Sequence, residues 1–236
     1  MGKLIIETYN LGKKYILPNA KQAVLKKQGL VKRIESAITS ANEVKWALRD
    51  INVQIERGDI VAVTGGNGSG KTTLFKLLSE ITDPSEGEIV LRGSISCMLE
   101  AGVGFHFELS GRENIYLNGT LLGMTRQEID AQFDQIVAFS ELKEYLNVPI
   151  KKYSSGMYVR LAFAVASFLR TDILLIDEVL SVGDESFRLK SIKRIKQMAE
   201  DGCTILMVSH DTDILRDICR TAIHIEEGRV VAQGSL

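Results

Sequence analysis

The chain has 236 residues, 45% of them hydrophobic and 25% charged, with a formal net charge of −1. This allows one large globular domain or two small ones with a sizeable buried core, and the near-neutral charge argues against non-specific nucleic-acid binding. The three cysteines, Cys97, Cys203 and Cys219, lack C-x-x-C spacing and read as reduced and structural, which suits the cytosol.

No N-terminal signal pattern is legible. No run reaches the ~18 consecutive apolar residues that cross a bilayer, and the longest helical apolar stretch is 161–169. Any membrane crossing is therefore expected from another chain. Residues 4–9 predict a first strand. Residues 19–42 differ in composition, carrying Lys21, Lys26, Lys27, Lys32 and Arg33 against one acid, Glu35. Val31, Ile34 and Ile38 fall at helical spacing there and predict a short amphipathic helix after Gly29. Ile51, Val53 and Ile55 alternate with polar residues, as in a half-buried strand. The apolar run 60–64 predicts a buried strand, followed by a glycine-rich loop and a helix over 74–78. Residues 82–87 form a turn cluster, 88–91 a strand and 101–111 a glycine-punctuated loop. Residues 113–139 read as mostly helical, broken near Gly123-Met124-Thr125. A further helix runs from about Ser155 to Leu169. Then follow a buried strand at 173–176, a helix at 187–199, a strand at 204–208 and a hairpin over 222–232 turned at Glu227-Gly228. Strands alternating with helices argue for α/β with a parallel core sheet. The helices of 113–169 interrupt that alternation and predict a separate helical lobe. Neither internal repeats nor low-complexity tracts are visible.

Residues 65–73 read Gly65-Gly66-Asn67-Gly68-Ser69-Gly70-Lys71-Thr72-Thr73. This is a G-x-x-x-x-G-K-[ST] phosphate loop in the strand–loop–helix context that gives the motif its meaning. The glycines let the backbone wrap phosphate with several N–H groups pointing inward, and the helix N-terminus adds partial positive charge. Lys71 would reach the β- and γ-phosphates, and the Thr72 hydroxyl would help hold Mg²⁺. The apolar run 173–176 ends in Asp177 and Glu178, at the strand edge where ligands bind in open α/β sheets. Asp177 would coordinate Mg²⁺, directly or through water. Glu178 is placed to orient or deprotonate the attacking water. A plain capping acid pair is the competing reading, and the phosphate loop upstream weighs against it. His210 follows another apolar strand and would touch the γ-phosphate, although a lone histidine at a strand end is more often structural. His106 and His224 lack such a context and read as structural or surface residues. Tyr153-Ser154-Ser155-Gly156-Met157 is, by itself, a Ser/Gly helix start.

Taken in order, the phosphate loop, the Ser-Gly helix start before the Asp-Glu strand and the downstream histidine resemble the nucleotide-binding domain of ABC ATPases, over roughly residues 4–232. The resemblance implies an α/β, ABC-type P-loop ATPase fold with a mainly parallel core sheet, an N-terminal antiparallel β part and an inserted helical lobe. It implies a single domain over 1–236, with its core at about 1–95 and 170–236, the lobe at about 110–169 and a basic insertion at about 16–42. It also implies ATP as substrate, Mg²⁺ as cofactor, and a second copy of the chain in a head-to-tail dimer around two ATP molecules. In that family the Ser-Gly motif binds the γ-phosphate of ATP held by the opposite subunit, so Ser154, Ser155 and Gly156 would act in trans. Ser181-Val182-Gly183-Asp184 matches the D-loop, which crosses that interface. Tyr15 resembles the aromatic that stacks on adenine, with Trp46 as competitor and a plain surface tyrosine as the other reading. Three features depart from the common pattern, the basic insertion at 16–42 being one of them. The signature carries Ser155 and Met157 in place of glycine and glutamine, and the Q-loop glutamine has no match. Glu100 stands nearest that position, where a carboxylate would serve Mg²⁺ as well as an amide.

Further phrases narrow the resemblance. Glu100-Ala101-Gly102-Val103-Gly104-Phe105-His106, Leu109-Ser110-Gly111-Arg112-Glu113-Asn114-Ile115, Tyr153-Ser154-Ser155-Gly156-Met157 and Val182-Gly183-Asp184 look like the ATP-binding subunits of bacterial polysaccharide exporters. That branch moves O-antigen, teichoic acid or capsule-type chains. The resemblance thus implies an ATPase peripheral to the cytoplasmic face of the inner membrane, partnered by an integral membrane permease dimer and indirectly by lipid-linked polysaccharide, with no nucleic acid. Lys71, Glu178 and His210 would carry catalysis, and the loop 101–112 would pass motion to the permease. The alternative is a soluble ABC-type ATPase acting on ribosome or DNA. Such proteins usually carry two cassettes or long coiled coils, and this chain shows neither. A pure binding module sits poorly with the intact catalytic set. The basic segment 16–42 reads either as a solvated loop with a helix or as a surface for lipid headgroups, the membrane partner or an anionic substrate.

Overall fold

The structure, a computed structural model, describes residues 3–17, 43–98, 104–177, 184–209 and 211–236. Strands β1 (Leu4–Leu17) and β2 (Glu43–Glu56) pair antiparallel from Leu4 opposite Glu56 to Leu17 opposite Glu43. With β4 (Glu86–Leu91) they form a three-stranded antiparallel sheet in the order β2-β1-β4. The first strand runs well beyond residue 9. Its apolar alternation breaks at Asn10, which takes a left-handed conformation with φ 48°, and the register against β2 shifts there before pairing resumes. A bulge of this kind bends a strand without ending it. Ile16 and Leu17, counted with the basic segment on composition, are strand residues opposite Val44 and Glu43. The amphipathic helix expected after Gly29 lies outside the described residues.

Among the described residues the second sheet has six strands in the order β5-β6-β7-β3-β8-β9. They are β3 (Ile60–Thr64), β5 (Ile95–Met98), β6 (Ile173–Asp177), β7 (Thr204–Val208), β8 (Thr221–Glu226) and β9 (Arg229–Ser235). All pairs are parallel except β8 with β9, the expected hairpin. Parallel strands covered on both faces read as unbroken apolar runs, which is why 60–64, 173–176 and 204–208 were visible. Strand β5 was not. Ser94-Ile95-Ser96-Cys97-Met98 is only partly buried and becomes a strand by pairing with β6, Ile95 opposite Ile173 and Met98 opposite Ile176.

Successive β6 residues point to opposite faces. Leu174 and Ile176 join a core formed with helices α2 (Gly111–Leu121), α3 (Arg126–Ser140), α4 (Ser155–Ser167) and α5 (Glu185–Glu200). Ile173 and Leu175 join a second core with α1 (Lys71–Leu78) and the antiparallel sheet, around Phe75, Leu74 and Ile55. Fully burying a side chain of that size is worth about 1.5–3 kcal/mol. Helices α2 and α3 each start with a capping box, Ser110 with Glu113 and Thr125 with Glu128. The break between them is Gly123, with φ 95°. The short helix α6 (Thr212–Ile218) was not anticipated. It is nucleated by Asp211, whose Oδ1 accepts from the Asp213 and Ile214 N–H groups at 3.0 and 3.1 Å. Among the described residues no helix is long and apolar enough to cross a membrane.

One charged cluster holds the antiparallel sheet. The buried Glu7 carboxylate accepts the Tyr9 hydroxyl and pairs with Arg92, both at 2.5 Å. The Tyr9 hydrogen bond, then that of Arg92, lowers the Glu7 pKa. A lowered carboxylate pKa contributes stability above the unfolded-state value and loses it as pH falls through the folded-state value. Glu7→Gln should therefore lower the thermal midpoint at neutral pH, with the gap to wild type closing below the usual carboxylate range. A gap constant with pH would assign the loss to packing. Burial pushes the Cys203 and Cys219 thiols up to about 12, whereas Cys97 is half-buried. Thiolate is the reactive form, so alkylation of the native protein at mildly alkaline pH should modify at most Cys97, and all three only after denaturation.

Candidate functional site

The phosphate loop joins β3 to α1 through backbone that only glycine tolerates at two points. Gly65 has φ 142°, and a Cβ there would lie 2.1 Å from the Ile225 carbonyl oxygen. Gly70 has φ 114°, and its Cβ would lie 2.7 Å from the Ala47 oxygen and 2.6 Å from the Leu48 side chain. By contrast, a Cβ on Gly66 would meet nothing within 4 Å. Lys71 Nζ donates to the Gly65 and Gly66 carbonyls at 2.8 and 2.9 Å, so the ammonium sits at the mouth of the loop. The Ser69 hydroxyl is buried with no hydrogen-bond partner among the described residues, while its carbonyl accepts from the Gly228 N–H at 3.0 Å.

A cavity of about 380 Å³ opens beside this loop. The loop and α1 contribute Asn67, Gly68, Gly70, Lys71, Thr72 and Thr73, and Asp177 enters from the end of β6. Strands β6, β7 and β3 are parallel neighbours, so the C-terminal end of β6 opens on the same edge as the loop that follows β3. Thr72 and Asp177 offer a hydroxyl and a carboxylate, oxygen donors that suit a hard divalent cation. Among the described residues no group of three or more His, Cys, Asp or Glu could hold a metal. The pair thus fits an ion that draws the rest of its shell from phosphate and water.

The third wall comes from the antiparallel sheet, as Tyr15, Lys45 and Trp46. Tyr15 is 39% exposed, with Lys13 Nζ 5.5 Å from its ring centroid. Trp46 is half-buried over Gly12, where a Cβ would come within 3.0 Å of the indole. Lys14 and Arg49 each lie 5.4 Å from its ring centroid. The two aromatic candidates therefore share one wall, with Tyr15 the more open ring. Lys45 was missed. No motif marks it, and it arrives because it pairs with Tyr15 across β1 and β2.

The Ser-Gly segment is elsewhere. Ser154 N-caps α4, accepting from the Met157 N–H at 3.2 Å. Ser154 and Ser155 are exposed, and the first turn holds no acid. Among the described residues a Cβ on Gly156 would meet only Ser154 Oγ, at 3.9 Å, so none of them requires glycine there. None of the three lines the cavity beside Lys71. Glu100, Glu178, His210 and residues 181–183 lie outside the described residues. Asp184 N-caps α5, and its pKa is lowered first by the Phe187 N–H and then by Ser186. His224 is held by Thr64 and Glu226 at 2.9 and 3.1 Å, and His106 is exposed. A larger cavity, about 780 Å³, lies at the opposite edge of the sheet, beside Asp172 and Cys203 just before β6 and β7, and holds none of the candidate residues.

Residues 48–181 match the family model for the ABC transporter. The O-antigen export system ATP-binding protein RfbB of Myxococcus xanthus is 49% identical over 184 residues, 78% of this chain and 42% of that protein. RfbB of Klebsiella pneumoniae is 46% identical over 189 residues, 80% of this chain and 77% of that protein. The teichoic acids export ATP-binding protein TagH of Lactococcus lactis subsp. lactis (strain IL1403) is 39% identical over 234 residues, 99% of this chain and 49% of that protein. The chain thus spans less than half the length of the Myxococcus and Lactococcus relatives. A solved ATP-binding subunit of an ABC transporter superposes with TM-score 0.79 at 22% identity, covering 98% of this chain and 90% of the other. An ATP-binding cassette solved as a dimer in a post-hydrolysis state with ADP and Pi gives 0.77 at 22% identity, covering 98% and 99%. The expected fold, with its parallel core sheet, N-terminal antiparallel part and helices α2 to α4 inserted between core strands, is the one observed, and with the family model matched over more than half of its residues the chain belongs to the ABC transporter family.

Proposed function

We propose that the chain is the ATP-binding and ATP-hydrolysing subunit of a bacterial exporter of lipid-linked polysaccharide, of O-antigen or teichoic acid type. It works as a homodimer, peripheral to the cytoplasmic face of the membrane, on an integral membrane permease. One domain spans 1–236, with its core at about 1–95 and 170–236 and its lobe at about 110–169. The export role is supported by relatives named for O-antigen and teichoic acid export. The observation that carries the reading is a division of labour. Lys71, Thr72 and Asp177 share one cavity, while Ser154, Ser155 and Gly156 stand at an open helix end outside it.

In this reading adenine stacks on Tyr15 and the phosphates lie along Gly66, Asn67, Gly68, Ser69, Gly70 and Thr73. Lys71 exchanges its two loop carbonyls for phosphate oxygens. Thr72 and Asp177, with Glu100, hold Mg²⁺, which neutralises phosphate charge when bound. Glu178 takes the proton of the attacking water, and His210 contacts the γ-phosphate. The second chain brings the N-terminus of its α4, where orphan N–H groups and the helix dipole favour an anion. Ser154, Ser155 and Gly156 leave that end free of side-chain bulk and negative charge. Only the closed dimer makes both sets of contacts, so ATP shifts the equilibrium toward closure.

Glu178→Gln should retain nucleotide affinity and slow phosphate release by at least about a hundredfold, the lower end of general-base contributions. A wild-type turnover rate would remove Glu178 from the role. The composite site is tested with Ser154→Arg and Lys71→Ala, each inactive alone. Mixing them should recover activity, because one of the two sites in the mixed dimer is intact, and wild-type rate per chain should rise with protein concentration. Absence of recovery in mixtures shown to contain mixed dimers would defeat the reading.

A further inference from the structure

Helices α3, α4 and α5 meet in a two-layered joint. The inner layer is aromatic. Phe139 of α3, Phe163 of α4 and Phe187 of α5 are buried, with ring centroids 5.9, 5.6 and 6.1 Å apart. The outer layer is ionic. Arg160 of α4 extends Nη1 to Glu141 Oε2 at 3.0 Å and Nη2 to the Asp184 carboxylate. Its guanidinium lies 5.1 Å from the Phe187 ring centroid. Glu141 caps the C-terminus of α3 in a left-handed conformation, φ 61°, and takes Lys190 of α5 on its other oxygen at 2.9 Å. Lys190 also donates to the Phe139 carbonyl at 2.9 Å.

The two layers do different physical work. Buried rings supply cohesion that tolerates small rotations. A planar guanidinium bonded at two nitrogens to two separate carboxylates fixes orientation. Both carboxylates are about half exposed while the Arg160 side chain is largely buried, so the pairs are screened from the carboxylate side and contribute modestly to stability, and a methionine can keep the packing of the arginine stem. The lever arm is short. Arg160 lies six residues after Ser154, roughly 9 Å along the helix at ~1.5 Å per residue, so a change at the joint tilts the exposed end of α4.

We infer that Arg160 is a positioning residue: by bridging Glu141 and Asp184 it sets the angle at which α4 presents Ser154, Ser155 and Gly156 to the nucleotide of the partner chain. The inference rests on the composite-dimer reading above. Asp184 allows the bridge to be cut cleanly, because Oδ1 caps α5 through the Phe187 N–H at 2.9 Å while Oδ2 takes Arg160.

The test uses the full chain. Arg160→Met should bind ATP in its own pocket like wild type, read from the fluorescence of Trp46, the one tryptophan in the sequence and a wall of the cavity. It should keep its thermal midpoint and lose at least about tenfold in ATPase rate, within the hundredfold that a misplacement of about 1 Å can cost. Arg160→Lys, with charge but no fork, should recover little of it. Asp184→Asn keeps the capping oxygen and should lose as much rate, and the double variant no more than either single one. Mixed with Lys71→Ala, Arg160→Met should regain activity, since one site then joins an intact Lys71 to an α4 held by an intact Arg160. If Ser154→Arg recovers with Lys71→Ala but Arg160→Met does not, the inference fails and the composite site stands. If neither recovers, the composite site fails and the inference with it. A rate loss that follows a fallen thermal midpoint, with additive effects in the double variant, would make the bridge purely structural and overturn the proposal.

Discussion

The site depends on three stretches of backbone meeting without a side chain between them. Gly65 lies against the Ile225 carbonyl of β8, and Gly70 against Ala47 and Leu48 of β2. Gly228, in the β8–β9 turn, would place a Cβ 2.8 Å from the Ala47 oxygen. Hydrogen bonds close the same triangle, Gly228 N–H to the Ser69 carbonyl at 3.0 Å and Arg49 N–H to the Gly228 carbonyl at 2.8 Å. The phosphate loop is thereby pinned to both sheets at once. This contact puts Tyr15 and Trp46, on the antiparallel sheet, across one cavity from Lys71, at the start of α1, and Asp177, at the end of β6. A side chain at any of the three glycines would have to push the sheets apart, which opens the cavity and moves the aromatic wall away from the loop.

In the proposed reading, the chain separates its chemistry from its recognition of a second copy. The cavity concentrates backbone N–H groups, a lysine and oxygen donors at the C-terminal edge of the parallel strands. The open end of α4 belongs to a different layer, linked to the rest through aromatic packing and a few long charged side chains. Cohesion in that link comes from buried rings, and orientation from ion pairs whose carboxylates are about half exposed. The proposed presentation of that helix end to a second chain is served by that arrangement. The strands β3, which leads into the loop before Lys71, and β6, which ends in Asp177, are instead locked by a continuous ladder of parallel pairs on each side of β7, where small rotations would break backbone hydrogen bonds.

Much of the fold was legible because the responsible signals are local. The buried parallel strands are unbroken apolar runs, the helices α2 and α3 form one long helical stretch with a legible break near Gly123, and the phosphate loop is a contiguous phrase whose glycines answer to backbone geometry. Strand β5 carried no such signal, since its strand character comes from β6 beside it. Helix α6 is too short to show a period and depends on one aspartate cap. The first strand was read short because Asn10 breaks the alternation while the pairing continues past it. The same boundary runs through the site. Lys71, Thr72 and Asp177 were legible as residues, but Lys45 was not, because its place comes from register.

By itself the sequence determined most of the core elements in order and type, the phosphate loop and the family resemblance, all of which reside in contiguous residues. Only the tertiary structure decided that Asp177 faces the loop, that Tyr15, Lys45 and Trp46 form one wall, and that Ser154 and Gly156 stand apart from them. The reason is physical: strand order and cross-strand register are pairings between residues distant in the chain, and no local pattern encodes which edges and faces those pairings bring together.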